Sequence, residues 1–259
     1  WTVMDRDLAA PAGCPARAAE TRRERPLILF ASETGTAEGY ARQAARRLAG
    51  LAPQTLAMDE VDVSELVTLR ARAQRLLEGQ GIHLTYLPFI IRAVVSGLKA
   101  YPYMNASLDA SRQELILKKS YHIGIAVATE DGLLVPVVRH ADRLSLFDLA
   151  RQLNRLVTEA RARRLSREEL QGSTFTISNY GALGGLFATP IINPPEVAIL
   201  GVGRIQEKPV ARGGRIEIRH MMGLSLSFDH RVVDGDYAGR FMAHVMERLE
   251  SPGLVALES

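Results

Sequence analysis

Apolar and small polar residues alternate through Leu224-Ser225-Leu226-Ser227-Phe228, the period of a strand with one face buried. The pattern stops at Asp229-His230 and resumes after the Asp234-Gly235 turn as the helical spacing of Tyr237 to Leu249. The same reading gives strands at Met58 to Val63, Leu115 to Leu117, Ile123 to Ala128, Leu133 to Val138, Thr174 to Asn179, Val197 to Val202, Ile216 to Ile218 and Met222 to Ser227. Thr129-Glu130-Asp131-Gly132 is a turn signal between two of them. Ser64 is expected to cap a helix running to Leu77, ended by Gly79 to Gly81. Thr85 is expected to cap a second, whose apolar face is Phe89, Ile90, Ala93, Val94 and Leu98 and which Tyr101-Pro102 terminates. Ser145 with Asp148 starts a helix to about Arg163, and Ser166 with Glu169 a shorter one. No internal repeat is visible. Strands and helices mixed without strict βαβ alternation predict a two-layer α/β sandwich with a mixed sheet rather than a Rossmann fold.

The first 51 residues follow a different pattern. Residues 1–25 carry Pro, Ala, Gly and an Arg/Glu-rich run without periodicity and read as a flexible, partly disordered lead-in. Residues 26–51 read as a βα fragment: the apolar strand Pro26-Leu27-Ile28-Leu29-Phe30-Ala31, the loop Ser32-Glu33-Thr34-Gly35-Thr36-Ala37-Glu38, then an Ala- and Arg-rich helix from Gly39 to Leu48. A hydroxyl-rich loop entering a helix N-terminus is a phosphate-cradling arrangement. It resembles the FMN-phosphate loop that opens flavodoxin-like domains. The further strands and ring-binding loops of such a domain do not follow, and one βα unit cannot bury both its faces, so FMN binding is not expected. Residues 52–259 form the third and main unit.

Composition narrows the class. The 259 residues are 47% hydrophobic and 24% charged, enough to bury a substantial core. The net charge is only +3, and the arginines are scattered rather than massed, which argues against a nucleic-acid partner. One cysteine, Cys14, excludes an internal disulfide and a Cys-based metal site and fits a reducing compartment. No apolar run is long enough to span a bilayer and no signal-peptide pattern stands at the start. The cytoplasm is therefore expected. The first residue is Trp1 rather than Met, as in a fragment or processed product.

The candidate chemistry lies where strand meets helix. His230 at a strand end, with backbone fixed on both sides and an imidazole whose ordinary pKa is near neutrality, suits a general base. Taken alone, His230-x-x-x-Asp234-Gly235 fits a structural turn as well. Around it stand Met58-Asp59-Glu60-Val61-Asp62-Val63, Thr85-Tyr86-Leu87-Pro88-Phe89, Asn105-Ala106-Ser107-Leu108, His122-Ile123-Gly124-Ile125-Ala126-Val127, Gly132-Leu133-Leu134-Val135-Pro136-Val137, Thr174-Phe175-Thr176-Ile177-Ser178-Asn179 and Pro195-Glu196-Val197-Ala198-Ile199-Leu200-Gly201-Val202-Gly203. In this order the blocks resemble the catalytic domain of the dihydrolipoyl acyltransferases, the E2 cores of 2-oxo acid dehydrogenase complexes. The resemblance covers about residues 52 to 259 and implies a fold like that of chloramphenicol acetyltransferase.

The resemblance also implies roles. His230 would take the proton from coenzyme A, or from dihydrolipoamide in reverse, while the thiolate attacks the thioester directly. Ser178 matches the hydroxyl that stabilises the oxyanion, although by itself it reads rather as the end of a strand. Asp234 matches the carboxylate that holds the site's geometry, often through an arginine of the first helix. Ala41 stands where that arginine is usual, and Arg42 is the available substitute. Coenzyme A and dihydrolipoamide are then substrates. The family assembles as trimers that build larger cores, with E1 and E3 components as partners. Neither a lipoyl domain nor its modified lysine is visible here, so a lipoyl domain supplied in trans is expected. Acetyl, succinyl and branched-chain acyl groups are all compatible, and the alternative readings are a degenerate, non-catalytic scaffold or the remnant of an FMN-binding electron-transfer fusion. His83, His122, His140, His220 and His244 lack metal-ligand spacing, and no metal site is expected. Gly181 to Gly185 lacks the context of a nucleotide loop.

Overall fold

A computed structural model describes residues 54–254, apart from residues 78, 80, 110–113 and 131. The lead-in at 1–25, the βα fragment at 26–51 and Arg42 lie outside the described residues. The described elements are β1 (Gln54–Asp62), α1 (Ser64–Leu76), α2 (Leu87–Ala100), β2 (Ala106–Asp109), β3 (Glu114–Leu117), β4 (Ile123–Thr129), β5 (Gly132–Leu134) and β6 (Val137–Val138). They continue with α3 (Leu146–Arg161), β7 (Phe175–Asn179), β8 (Ala198–Arg212), β9 (Arg215–Asp229) and α4 (Gly235–Glu250).

The main sheet has seven strands in the order β1-β9-β8-β7-β4-β5, with β6 also paired to β4. The pairs β8/β7 and β7/β4 are parallel, while β1/β9, β9/β8, β4/β5 and β4/β6 are antiparallel. The sheet is therefore mixed, as expected. A separate ribbon joins β2 to β3.

One face of the sheet carries the helices. Phe175 on β7 is fully buried and its ring lies 5.9 Å from that of Phe241 on α4. Helix α2 is apolar on nearly every side, with Phe89, Ile90, Ile91, Val94 and Leu98 all buried, which marks it as the interior helix of the layer. Gly97 lets α4 approach it: a methyl group there would lie 2.8 Å from the Phe241 ring. Tyr101, at the C-terminus of α2, meets Tyr237, Phe241 and His244 edge-on.

Several expected boundaries change for local reasons. The run Leu133 to Val138 is not one strand: it breaks at Pro136, which has no amide to donate, into β5 and β6. Ser64 does not cap α1. Its amide and hydroxyl both donate to Asp62 Oδ1, at 3.0 and 2.7 Å, so the aspartate does that work. Thr85 does not cap α2 either; Tyr86 holds the N-cap position, without a side-chain bond. Ser166 and Glu169 do form a reciprocal box, but it closes only the 3₁₀ turn Glu168–Leu170. The short runs 197–202, 216–218 and 222–227 are parts of a long hairpin of two 15-residue strands. Ser145 caps α3 as expected, accepting from Asp148 N at 3.1 Å.

Candidate active site

The end of β9 is fixed from both directions. Asp229 N donates to Val197 O at 2.8 Å, and Asp229 O accepts from Val232 N and Val233 N at 2.9 and 3.0 Å. His230 follows as an exposed residue, its ring 5.9 Å from that of buried Phe228. Four residues further the chain reaches the start of α4. Asp234 is its N-cap: Oδ1 accepts from Tyr237 N at 2.8 Å, which satisfies an amide the helix cannot pair and places a carboxylate at the positive end of the helix. The structure thus gives Asp234 a definite task in shaping the turn that carries His230. Arg42, the suggested partner of Asp234, is outside the described residues.

Ser178 stands on a different part of the sheet. Phe175 packs toward the helices, so by strand alternation Thr176 and Ser178 face away from them. Ser178 is opposite Gly201, and Gly201 opposite Ser225. Tyr180 folds back over this row. A methyl group at Gly201 would lie 2.8 Å from its ring, and its hydroxyl lies 3.0 Å from Ser225 Oγ. Burial pushes the Tyr180 phenol above its ordinary pKa, with the Ser225 bond opposing. The segment after Tyr180 then crosses the sheet over Gly203 and Gly223, where any Cβ would collide with the Leu186 carbonyl. A β-bulge between Val202 and Ile205 turns the Arg204 amide out to Gly185 O at 2.9 Å. On this face Met58, Leu183, Phe187 and Ile191 are exposed, an apolar surface of the kind that marks contacts with another molecule.

Ser178 Oγ and the His230 ring nitrogens make no hydrogen bond among the described residues, so both polar groups are available. One chain does not bring them together. Ser225 stands level with Ser178, five positions before His230, so the two residues start roughly 17 Å apart along the strands and about 10 Å across them. His230 also leans toward Phe228 on the helix side, whereas Ser178 faces the other side. The histidine and aspartate occupy one turn, and the serine stands apart from them on the sheet.

Beside Ser178 lies a buried polar cluster that sequence reasoning missed. Glu196 is 6% exposed. Its Oε1 accepts from Ser173 Oγ at 2.5 Å, Thr176 Oγ1 at 2.9 Å and Asn193 Nδ2 at 3.1 Å, while Oε2 is buried without a partner among the described residues. Burial raises this carboxyl to a pKa of about 6, against the three donors. The only signal in the sequence was a charged residue leading into an apolar strand. Of the other histidines, His122 Nδ1 accepts from His140 N at 3.0 Å and His244 Nε2 lies 2.9 Å from Ser96 Oγ. Among the described residues no three metal-ligating side chains gather into a site.

With this geometry in place, the comparisons define the class. A family model, the 2-oxoacid dehydrogenases acyltransferase (catalytic domain), matches residues 32–257, and the chain belongs to that family. The match begins inside the segment whose opening resembles a flavodoxin-like loop. Among curated relatives, the dihydrolipoyllysine-residue acetyltransferase component of the pyruvate dehydrogenase complex of Bacillus subtilis is 47% identical over 208 residues, covering 80% of this chain and 47% of that protein. The corresponding component of Acholeplasma laidlawii is 46% identical over 211 residues, covering 82% and 39%. The chain thus spans about half or less of the length of these relatives. Among solved structures, the dihydrolipoamide acetyltransferase of Azotobacter vinelandii superposes with a TM-score of 0.78 at 37% identity, covering 94% of this chain and all of that one. A truncated catalytic core of the 2-oxoacid dehydrogenase complex of Thermoplasma acidophilum gives 0.72 at 41% identity, covering 87% and 99%. The fold is that of these acyltransferase cores.

Proposed function

We propose that this chain is the catalytic core of a dihydrolipoyllysine-residue acyltransferase, moving an acyl group between dihydrolipoamide and coenzyme A, with acetyl as the leading candidate. The observation that carries the reading is the pair Ser178 and His230, each with its polar group unpartnered among the described residues. The mechanism of the Azotobacter enzyme has been investigated at a serine, a histidine and an asparagine whose sequence spacing is that of Ser178, His230 and Asp234. The residue Asp234 replaces that asparagine, and as an N-cap either side chain can accept the same helix amide.

The chemistry runs without an acyl-enzyme. His230 removes the proton from the coenzyme A thiol, and the thiolate attacks the thioester carbonyl carbon of the acylated lipoyl group. The carbonyl electrons move onto oxygen, where the Ser178 hydroxyl donates a hydrogen bond to the developing oxyanion. Collapse breaks the bond to the lipoyl sulfur, which leaves as a thiol carrying the proton from the imidazolium. Because Ser178 and His230 of one chain lie too far apart, the site forms between neighbouring copies of a trimer-based core. The exposed Met58, Leu183, Phe187 and Ile191 are suited to such a contact. Cubic cores are known for a pyruvate dehydrogenase complex of this fold, and a core of that kind, serving E1 and E3 components, is the assembly proposed. No helix among the described residues is long and apolar enough to cross a membrane; the cytoplasm is the proposed compartment.

Acyl transfer from acetyl-, succinyl- and isobutyryl-coenzyme A to free dihydrolipoamide tests the reading. His230→Ala is expected to lose at least about a hundredfold in rate, as for removal of a general base. Ser178→Ala is expected to lose about a hundredfold or more with intact assembly, the effect of one oxyanion donor. A His230→Ala protein as active as the parent would refute the assignment.

A further inference from the structure

The residues flanking His230 form a closed structure of their own. Asp229 is 5% exposed, and its carboxylate turns back along the chain. Oδ1 accepts from the Arg231 backbone amide at 3.0 Å. The ring closed by that bond is an Asx-turn, with His230 as its central residue, so the bond holds the two backbone torsions that aim the imidazole. The same carboxylate is gripped by the Arg231 side chain, Nε to Oδ1 at 3.0 Å and Nη2 to Oδ2 at 2.7 Å. A fork of this kind fixes the plane of the carboxylate as well as its charge. Burying the carboxylate without that cation would leave an uncompensated charge in the protein. Asp229 is also tied to the sheet and to the next turn through its own amide and carbonyl. The carboxylate therefore transmits the rigidity of the sheet to the one residue that the strand no longer holds.

We propose that Asp229, locked by Arg231, is a positioning residue for the transfer reaction: its Asx-turn sets the direction of the His230 imidazole toward the thiol. This rests on the reading of His230 as the base. Asp234 braces the same turn from the helix side, and the two act on different backbone amides, Arg231 and Tyr237. Loss of the Asx-turn leaves the imidazole present but its direction unfixed. Misplacement of a catalytic group by about 1 Å can lower a rate by about a hundredfold, so the effect belongs in kcat rather than in substrate binding.

The test compares Asp229→Ala, which removes the acceptor, with Asp229→Asn, which keeps an amide oxygen at the same reach. Both are measured in the assembled core with coenzyme A ester and dihydrolipoamide, beside His230→Ala. Asp229→Ala should lower kcat by about ten- to a hundredfold with KM for both substrates within about twofold, and Asp229→Asn should recover kcat to within about fivefold of the parent. An unchanged kcat in Asp229→Ala, with His230→Ala inactive, overturns the proposal. So does an Asn variant as slow as the Ala variant, because the turn would then contribute nothing beyond the charge. Should Asp229→Ala fail to assemble, Asp229→Ser takes its place: its hydroxyl can still accept the Arg231 amide, and a loss of more than about a hundredfold in kcat at normal KM counts against the proposal. Full activity in His230→Ala would instead reject the base assignment on which the proposal stands.

Discussion

Among the described residues, Glu196 has three donors on one carboxyl oxygen and none on the other, in a site 6% exposed. Burial outweighs the donors and lifts its pKa to about 6, from an ordinary 4.5. A carboxyl raised on folding contributes stability in its protonated form. That contribution is complete below pH 4.5 and is lost as the pH rises through about 6. The shift corresponds to about 2 kcal/mol. Glu196→Gln keeps the volume and the accepting oxygen while removing the titration. Its urea midpoint relative to the parent should rise between pH 4.5 and 6.5 and then level off; an unchanged pH slope would show that Glu196 is not the titrating group. Sequence reading picks out Ser178, His230 and Asp234 because each sits in a short motif. Glu196 escapes it because Ser173, Thr176 and Asn193 converge only when β7 and the loop before β8 are folded together. Asp229 escapes it for a different reason. It is adjacent to His230, but its meaning depends on a carboxylate that is buried and turned back on Arg231.

Among the elements, the segment following β7 is held by what the sheet lacks. Gly203 and Gly223 leave room for the Leu186 carbonyl, and Gly201 for Tyr180 and Pro190. Gly203→Ala would drive a methyl group into backbone, which cannot rotate away as a side chain can. We expect a loss of about 3 kcal/mol or more in stability, or displacement of the segment, with weakened oligomer formation. Thermal unfolding and sedimentation measure both, and a variant with parental stability and mass would contradict this packing. The glycines are plain in the sequence, but their purpose is not, since it lies in the segment around Leu186 that packs over them. Strand and helix identities were legible wherever periodicity ran uninterrupted, as in α3 and β4. Boundaries failed where one atom decides: the missing amide of Pro136, and the Asp62 carboxylate that takes the bond expected of Ser64. The hairpin β8/β9 was read too short because its outer half is exposed, so the apolar alternation that reveals a strand fades beyond Ile205.

At the scale of the whole molecule, the described residues fold as an acyltransferase core in which Ser178 and His230 stand apart. The blocks from Met58 to Gly235 were enough to recognise the family, and the family match bears that out. What they do not contain is the separation between Ser178 and His230, which follows from sheet order and register. On the proposed reading of Ser178 and His230, that separation would make assembly a condition of catalysis. Mixed assembly tests this most directly. Ser178→Ala and His230→Ala chains, each slowed about a hundredfold or more alone, are unfolded together, reassembled at equal ratio and assayed for acyl transfer. A site shared between neighbours makes about a quarter of the interfaces in random mixed trimers intact, one chain supplying the serine and the next the histidine. The account predicts recovery to about that fraction of parental activity. Mixed trimers confirmed by mass that remain as slow as the single variants would contradict it.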